Sequence, residues 1–121
     1  NMKTNFDTLF NSSDFDIILI ENQIGPLATR MKTIQGMITQ YFIIKFPSTD
    51  IKYISSFNKL KLFTKEKLSY KDKKKLAIQK TEEILNTNNN LTCWIDFFKK
   101  HKKKDDLADS LLQSIVYVRL T

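Results

Sequence analysis

The chain has 121 residues, a formal charge of +7 at pH 7, 41% hydrophobic side chains, two glycines, two prolines, one cysteine and one histidine. That is the length of one domain, with enough apolar content for a core, and too few glycines and prolines for a disordered or loop-rich protein. It excludes a disulfide framework and a cysteine-rich zinc site, and the lone His101 argues against a Ser-His-Asp triad, so any catalysis is expected to run on carboxylates.

Residues 1–13 read as a short amphipathic helix with Met2, Phe6, Leu9 and Phe10 on one side, and Asn11, Ser12 and Ser13 make a polar break. Residues 16–21 (DIILIE) form a continuous apolar run rich in β-branched residues, as in a parallel strand buried on both faces. Gly25-Pro26 is a turn, and Pro26 suits the first position of a helix. Over 27–46, Met31, Ile34, Ile38, Tyr41 and Phe42 recur at helical spacing until Pro47 ends the run. Gly36 in this helix allows close helix approach.

Residues 50–57 (DIKYISSF) read as a second strand, with Ile51, Tyr53 and Ser55 alternating against Lys52, Ile54 and Ser56. Strand, helix, strand predicts a βαβ unit with a parallel pair. Residues 58–70 are basic and aperiodic. A helix follows over 70–85, with Leu76, Ala77, Lys80 and Ile84 marking its faces, then a polar linker over 86–90. A short aromatic helix is predicted over 92–101, and a final helix over 105–120. The fold class is therefore α/β with few strands, in which helices dominate. No uninterrupted apolar stretch is long enough to span a bilayer and no signal-peptide pattern is present. With the single Cys93, these features lead to the expectation of a reducing, intracellular compartment and no membrane partner.

Two acidic motifs stand out. Glu21 closes the first apolar run, in Ile-Glu-Asn-Gln, and Asp-Asp-Leu-Ala-Asp (105–109) opens the last helix. On a wheel of about 100° per residue, Asp109, Ser110 and Gln113 lie within about 60° of Asp106, with Leu107, Leu111 and Ile115 on the other side. Asp106 and Asp109 are thus expected on one polar face in the first turn, where the helix dipole favours negative charge, with Asp105 as a possible N-cap. The plainer reading makes all three aspartates ordinary N-terminal helix acids and Glu21 a solvated strand end. The functional reading notes that open parallel sheets bind ligands at the carboxyl ends of their strands. It also notes that carboxylates converging from separate elements can hold paired divalent metals for phosphodiester cleavage. On it, Glu21, Asp106 and Asp109 are expected to converge.

The lysines cluster. Lys59 and Lys61 follow the second strand; Lys65, Lys67, Lys71, Lys73, Lys74, Lys75 and Lys80 lie before and on the next helix; Lys99, Lys100, Lys102, Lys103 and Lys104 abut the acidic motif. Such groups hold phosphates without reading sequence, unless they are simply a solvated basic surface. With a pI near 9.5, an anionic partner is favoured. Arg30 and Lys32, one turn into the helix after Glu21, either contact DNA or pair with acids. Trp94, Phe97 and Phe98 read as core, with stacking on unpaired bases as the alternative. Cys93 reads as a buried small residue and His101 as an exposed member of the basic run.

Several segments carry a family likeness: IILIENQ with the following Arg30-Met-Lys-Thr-Ile-Gln-Gly-Met37, Ser-Tyr-Lys-Asp-Lys-Lys-Lys at 69–75, and KKDDLADSLLQ from Lys103. Together they resemble the RuvC-type Holliday junction resolvases of RNase H-like fold. The likeness is greatest to the branch found in poxviruses and other large DNA viruses, which is related to the fungal mitochondrial resolvases. The resemblance implies that Glu21, Asp106 and Asp109 are catalytic and metal-binding, with Mg²⁺ or Mn²⁺. It implies a homodimer, the helix over 27–46 contributing to dimerisation, that nicks opposed strands of a four-way DNA junction. If the source is viral, it implies location at the site of viral DNA replication. The DNA-binding set is expected to be Arg30, Lys32, Lys59, Lys71, Lys73, Lys74, Lys75, Lys102, Lys103 and Lys104. The family's opening strand, with its Asp-x-Gly pattern, has no counterpart before Glu21, and Asp7, Asp14 and Asp16 do not replace it. The chain is therefore expected to be one N-terminally truncated domain that cleaves poorly by itself. The alternatives are an inactive branched-DNA-binding module of the same fold and a basic helical interaction protein.

Overall fold

The computed structural model describes residues 1–11 and 14–120, apart from the side chain of Asn58. The fold is mixed α/β and mostly helical, and the chain divides into two compact units, 1–55 and 56–121.

The first unit holds α1 (Met2–Leu9), β1 (Ile17–Glu21), α2 (Thr29–Lys45) and β2 (Asp50–Ile54). The side chain of Asn1 caps α1 by accepting from the Thr4 amide at 2.9 Å, satisfying one of the amides a helix start leaves orphaned. Pro26 opens a 3₁₀ turn, Pro26–Ala28, that leads into α2. Gly25 before it has φ +96°, a conformation that L side chains rarely adopt. β1 and β2 pair in parallel, Ile17 opposite Asp50 and Glu21 opposite Ile54, and the chain crosses from one to the other through α2, as the alternation of elements predicts.

Burial in this sheet is lighter than predicted. Ile18 is the buried residue of β1, and its other four residues are half-buried. A run rich in Ile and Leu is fully buried when a sheet is covered on both faces, and a two-stranded sheet is too narrow to be sealed on both. β2 likewise buries neither alternating set: Tyr53 is exposed while Ile51 and Ile54 are half-buried. The Tyr53 hydroxyl donates to Thr39 Oγ1 at 2.8 Å, because that hydroxyl's own proton is already given to the Gln35 carbonyl at 2.7 Å. Polar contact with α2 thus replaces burial.

The unit is held by aromatic rings. Phe6 packs edge-on against Tyr41 (centroids 5.1 Å apart) and stacks on Phe42 at 5.9 Å. Phe10 meets Phe42 at 5.3 Å and Phe15 meets Phe46 at 5.3 Å. Each such pair contributes about 0.5–1.5 kcal/mol beyond the area it buries. Leu9, expected on the packed side of α1, is exposed instead. Of the predicted polar break, Ser12 and Ser13 lie outside the described residues. A Cβ placed on Gly36 would meet nothing within 4 Å among the described residues, so no element of the first unit packs closely on α2 there.

The second unit contains α3 (Tyr70–Thr87), α4 (Ile95–Lys100) and α5 (Lys104–Leu120). Ser69 caps α3, its hydroxyl accepting from the Asp72 amide at 3.1 Å. Leu60, Ala77, Leu85, Phe98, Ala108 and Leu112 form the core. Ala77 on α3 and Ala108 on α5 are both fully buried, and residues this small let helix backbones come close. On α5 the buried line is Ala108, Leu112, Gln113 and Val116. The predicted apolar face, Leu107, Leu111 and Ile115, is half-buried, and Gln113, predicted on the polar face, is inside. The apolar residues of α5 cover about half of its circumference, wider than the side it buries, so packing on its neighbours selects the core line within that arc.

Trp94 and Phe97, predicted as core, are 54% and 56% exposed, and Phe98 alone of the three rings is buried. Cys93, also predicted buried, is exposed. A six-residue helix has one narrow side to bury, and Phe98 occupies it.

Candidate nucleic-acid interface and acidic centre

In the first unit Glu21 ends β1, half-buried, at the carboxyl end of the parallel pair. The next residue continues the ladder, its amide donating to the Ile54 carbonyl at 2.8 Å. Gln35 on α2 then pins the segment. Its Oε1 accepts from the Gln23 amide at 2.7 Å and its Nε2 donates to Asn22 Oδ1 at 3.3 Å. One glutamine therefore sets the path of Ile-Glu-Asn-Gln as it leaves the strand. Gln35 belongs to the Arg30–Met37 segment of the family likeness, but a glutamine on an amphipathic helix carries no signal of this role by itself. Arg30 and Lys32 lie exposed in the first turn of α2.

Asp7 has a structural role. Its carboxylate accepts from Lys3 at 2.7 Å and from the Tyr41 hydroxyl at 2.7 Å, with Lys45 at 3.9 Å. The Lys3 ammonium, then the Tyr41 hydroxyl, hold the Asp7 carboxyl below its ordinary range. Desolvation and the hydrogen bond to Asp7 push the Tyr41 phenol up to about 12.

In the second unit the acidic motif is organised around lysines. Lys59 Nζ lies 2.9 Å from Asp109 Oδ2 and Lys74 Nζ lies 3.2 Å from Asp105 Oδ2. Asp105 and Asp109 are four residues apart and therefore share a side of α5. Both are half-buried, whereas Asp106 is exposed. Asp105 is not the cap: α5 begins at Lys104, and the Lys103 carbonyl receives the first amide bonds, from Asp106 at 3.1 Å and Leu107 at 3.4 Å. The Lys74 contact lowers the Asp105 carboxyl from its ordinary value, and contact with Tyr70, then Asp105, raises the Lys74 ammonium. Lys74 also sits 4.7 Å from the centroid of the Tyr70 ring, a cation–π arrangement. His101 is half-buried, its Nδ1 accepting the Lys103 amide at 3.1 Å, and so shapes the turn into α5.

Oxygen donors such as these suit a hard divalent cation. Among the described residues, however, no group of three or more His, Cys, Asp or Glu side chains is placed to hold one. As they stand, Asp105 and Asp109 hold ammonium groups.

Of the predicted DNA-contacting lysines, Lys59 and Lys74 are thus engaged with aspartates. Lys80, in the same basic segment, is engaged with Glu83 at 3.2 Å. Lys71, Lys73, Lys75, Lys102 and Lys103 are exposed and Lys104 is half-buried. Lys61, Lys65, Lys67 and Lys73 line a cavity of about 420 Å³ together with Leu60 and Glu66. Its excess of ammonium groups suits a phosphate.

No protein-family profile matches the chain, and no solved structure matches it. The chain is 34% identical over 120 residues to an uncharacterized protein of Acanthamoeba polyphaga mimivirus, an alignment covering 84% of this chain and 28% of the relative. The chain therefore has a viral relative and spans little more than a quarter of that relative's length. No helix of the described residues is long and apolar enough to cross a membrane.

Proposed function

We propose that the chain is a domain of a structure-selective DNA endonuclease of the RuvC type, RNase H-like in fold and viral in origin, acting on four-way junctions. The observation that carries this reading is the position of Glu21 at the carboxyl end of a strand paired in parallel with the next, where open parallel sheets place their ligand sites. The exposed lysines of α3 and of the approach to α5 supply phosphate affinity. Glu21, Asp106 and Asp109 are the proposed ligands of Mg²⁺ or Mn²⁺, which supplies the charge stabilisation that phosphodiester hydrolysis requires. Asp109 is released for this role when Lys59 turns to a phosphate. Homodimerisation is proposed through α2, where Met37, Ile43 and Ile44 are exposed, and Gly36, Met37, Gln40 and Ile44 line an apolar cavity of about 850 Å³.

A second reading is favoured by the two ion pairs of the acidic motif. With Asp109 on Lys59 and Asp105 on Lys74, the domain binds branched DNA without cutting it.

Competition binding with a four-way junction and a linear duplex of the same sequence tests the shared part: the junction is expected to bind at least about tenfold more tightly, roughly 1.4 kcal/mol. Equal affinity removes structure selectivity and both readings with it. Thermal melting with and without Mg²⁺ separates the two. Stabilisation of the wild type that Asp109→Asn loses supports the nuclease, since a ligand of the folded state raises its stability. Indifference to Mg²⁺ leaves the binding module.

A further inference from the structure

Trp94 and Phe97 project from the start of α4 with their ring centroids 5.9 Å apart, and Phe97 continues to His101 at 5.8 Å. More than half of each of the first two rings is open to solvent, while Phe98 between Phe97 and the basic run is 97% covered. The exposure of Trp94 and Phe97 is thus selective, since the helix has an inner side and these rings are not on it. The C-terminal flank is cationic. Lys99, Lys100, Lys102 and Lys103 are all exposed, and among the described residues none of the four has a carboxylate within 4 Å. Asp96 is the one acid on the helix.

Exposed aromatic faces followed by exposed ammonium groups are what single-stranded nucleic acid requires. Bases stack on the rings while the backbone runs along the charges, and base sequence matters little because every base has a π-face. A protein partner of ordinary type fits less well: the centres of protein interfaces are depleted in lysine, and four exposed lysines follow this pair closely in the chain. A closed duplex offers no base face to stack on.

We propose that Trp94 and Phe97 form a stacking platform for single-stranded DNA, with Lys99, Lys100, Lys102 and Lys103 holding its phosphates. This deepens the branched-DNA reading and rests on it for the choice of DNA over RNA, because unpaired bases are available where strands exchange.

Trp94 is the only tryptophan of the chain, so its fluorescence reports the site directly. The test is a titration of the 121-residue chain with oligo(dT), oligo(U) and a linear duplex, read by Trp94 emission, and with a four-way junction, read by anisotropy of a labelled strand. Saturable quenching by oligo(dT) is expected, weaker with duplex. Phe97→Ala is expected to reduce oligo(dT) affinity roughly 5- to 100-fold, the effect of removing one stacking partner. Both rings are exposed, so the variant should fold, which far-UV circular dichroism verifies. Lys100→Gln and Lys103→Gln should instead lower the salt dependence of binding and leave the quenching at saturation unchanged.

The proposal is overturned if oligo(dT) leaves Trp94 emission unchanged, if Phe97→Ala binds it as tightly as wild type, or if oligo(U) binds more tightly than oligo(dT). If the junction is still bound in those cases, the branched-DNA reading stands alone. Quenching by oligo(dT) with no preference for junction over duplex keeps the platform and removes the junction reading. Binding of no nucleic acid removes both and leaves the ring pair as a surface for another protein.

Discussion

The ammonium of Lys59 and the carboxylate of Asp109 meet at 2.9 Å with 23% and 29% of their side chains exposed. A residue from a turn thereby neutralises the acid that closes the Asp-Asp-Leu-Ala-Asp motif, in a place where water does only part of that work. Lys59→Met leaves the Asp109 carboxylate without this partner and is expected to cost about 1 kcal/mol in urea unfolding. Adding Asp109→Asn should recover most of the loss. Strict additivity of the two substitutions would show that the pair contributes nothing to folding.

The clasp of Asp7 with Lys3 and Tyr41 has a defined pH dependence. A carboxyl whose folded value is lowered contributes stability that is present above the ordinary carboxylate value, about 3.9. That stability is lost as pH falls through the lowered folded value. Protection of the α1 amides should therefore persist at pH 5 and fade in stronger acid. Tyr41→Phe removes one of the hydrogen bonds that depress Asp7 and should move the loss to higher pH. On the alkaline side, one of the four tyrosines should ionise last, near the value of about 12 to which Tyr41 is raised. In Asp7→Asn it should titrate closer to 10. An unchanged absorbance titration in that variant would count against the clasp.

The second unit offers two core substitutions of opposite sign. Leu112 is fully buried against α3 and α4 neighbours, so Leu112→Ala should destabilise by about 2–5 kcal/mol. Leu107→Ala, at a half-buried position, should cost clearly less. Thr81 is buried with no hydrogen-bond partner for its hydroxyl among the described residues. Thr81→Val exchanges that hydroxyl for a methyl group and should stabilise by about 1 kcal/mol, the penalty of an unmet buried polar group. Denaturant midpoints decide both, and a destabilised Thr81→Val would point to a partner for the hydroxyl.

The lysines should divide by whether they are already paired. Lys71→Gln, Lys73→Gln and Lys75→Gln should each lower the slope of log affinity for DNA against log salt by about 1, as expected for a lost phosphate contact. Lys80→Gln should change it little, because Lys80 is held by Glu83 at 3.2 Å. A slope equally sensitive to Lys80 would mean that the intrahelical pair opens when DNA binds.

Local periodicity and punctuation were legible in the amino-acid sequence: the parallel strand pair, the helix ending before Pro47, the turn at Gly25-Pro26 and the start of α3 at Tyr70. Each follows from forces acting within a few residues, such as a fixed proline φ or apolar spacing that matches one helical turn. What those forces leave open was decided by tertiary packing. α5 carries Leu107, Ala108, Leu111, Leu112, Ile115 and Val116 over about half of its girth, and only its fit against α3 selects Ala108, Leu112 and Val116 as the inner line. The same choice brings Asp105 and Asp109 to their lysines and leaves Asp106 in solvent. At the start of α4, Trp94, Phe97 and Phe98 look alike in sequence, and the narrow inner side of a short helix admits Phe98 alone. Burial belongs to the meeting of two surfaces, and one chain segment read by itself holds only half of that information.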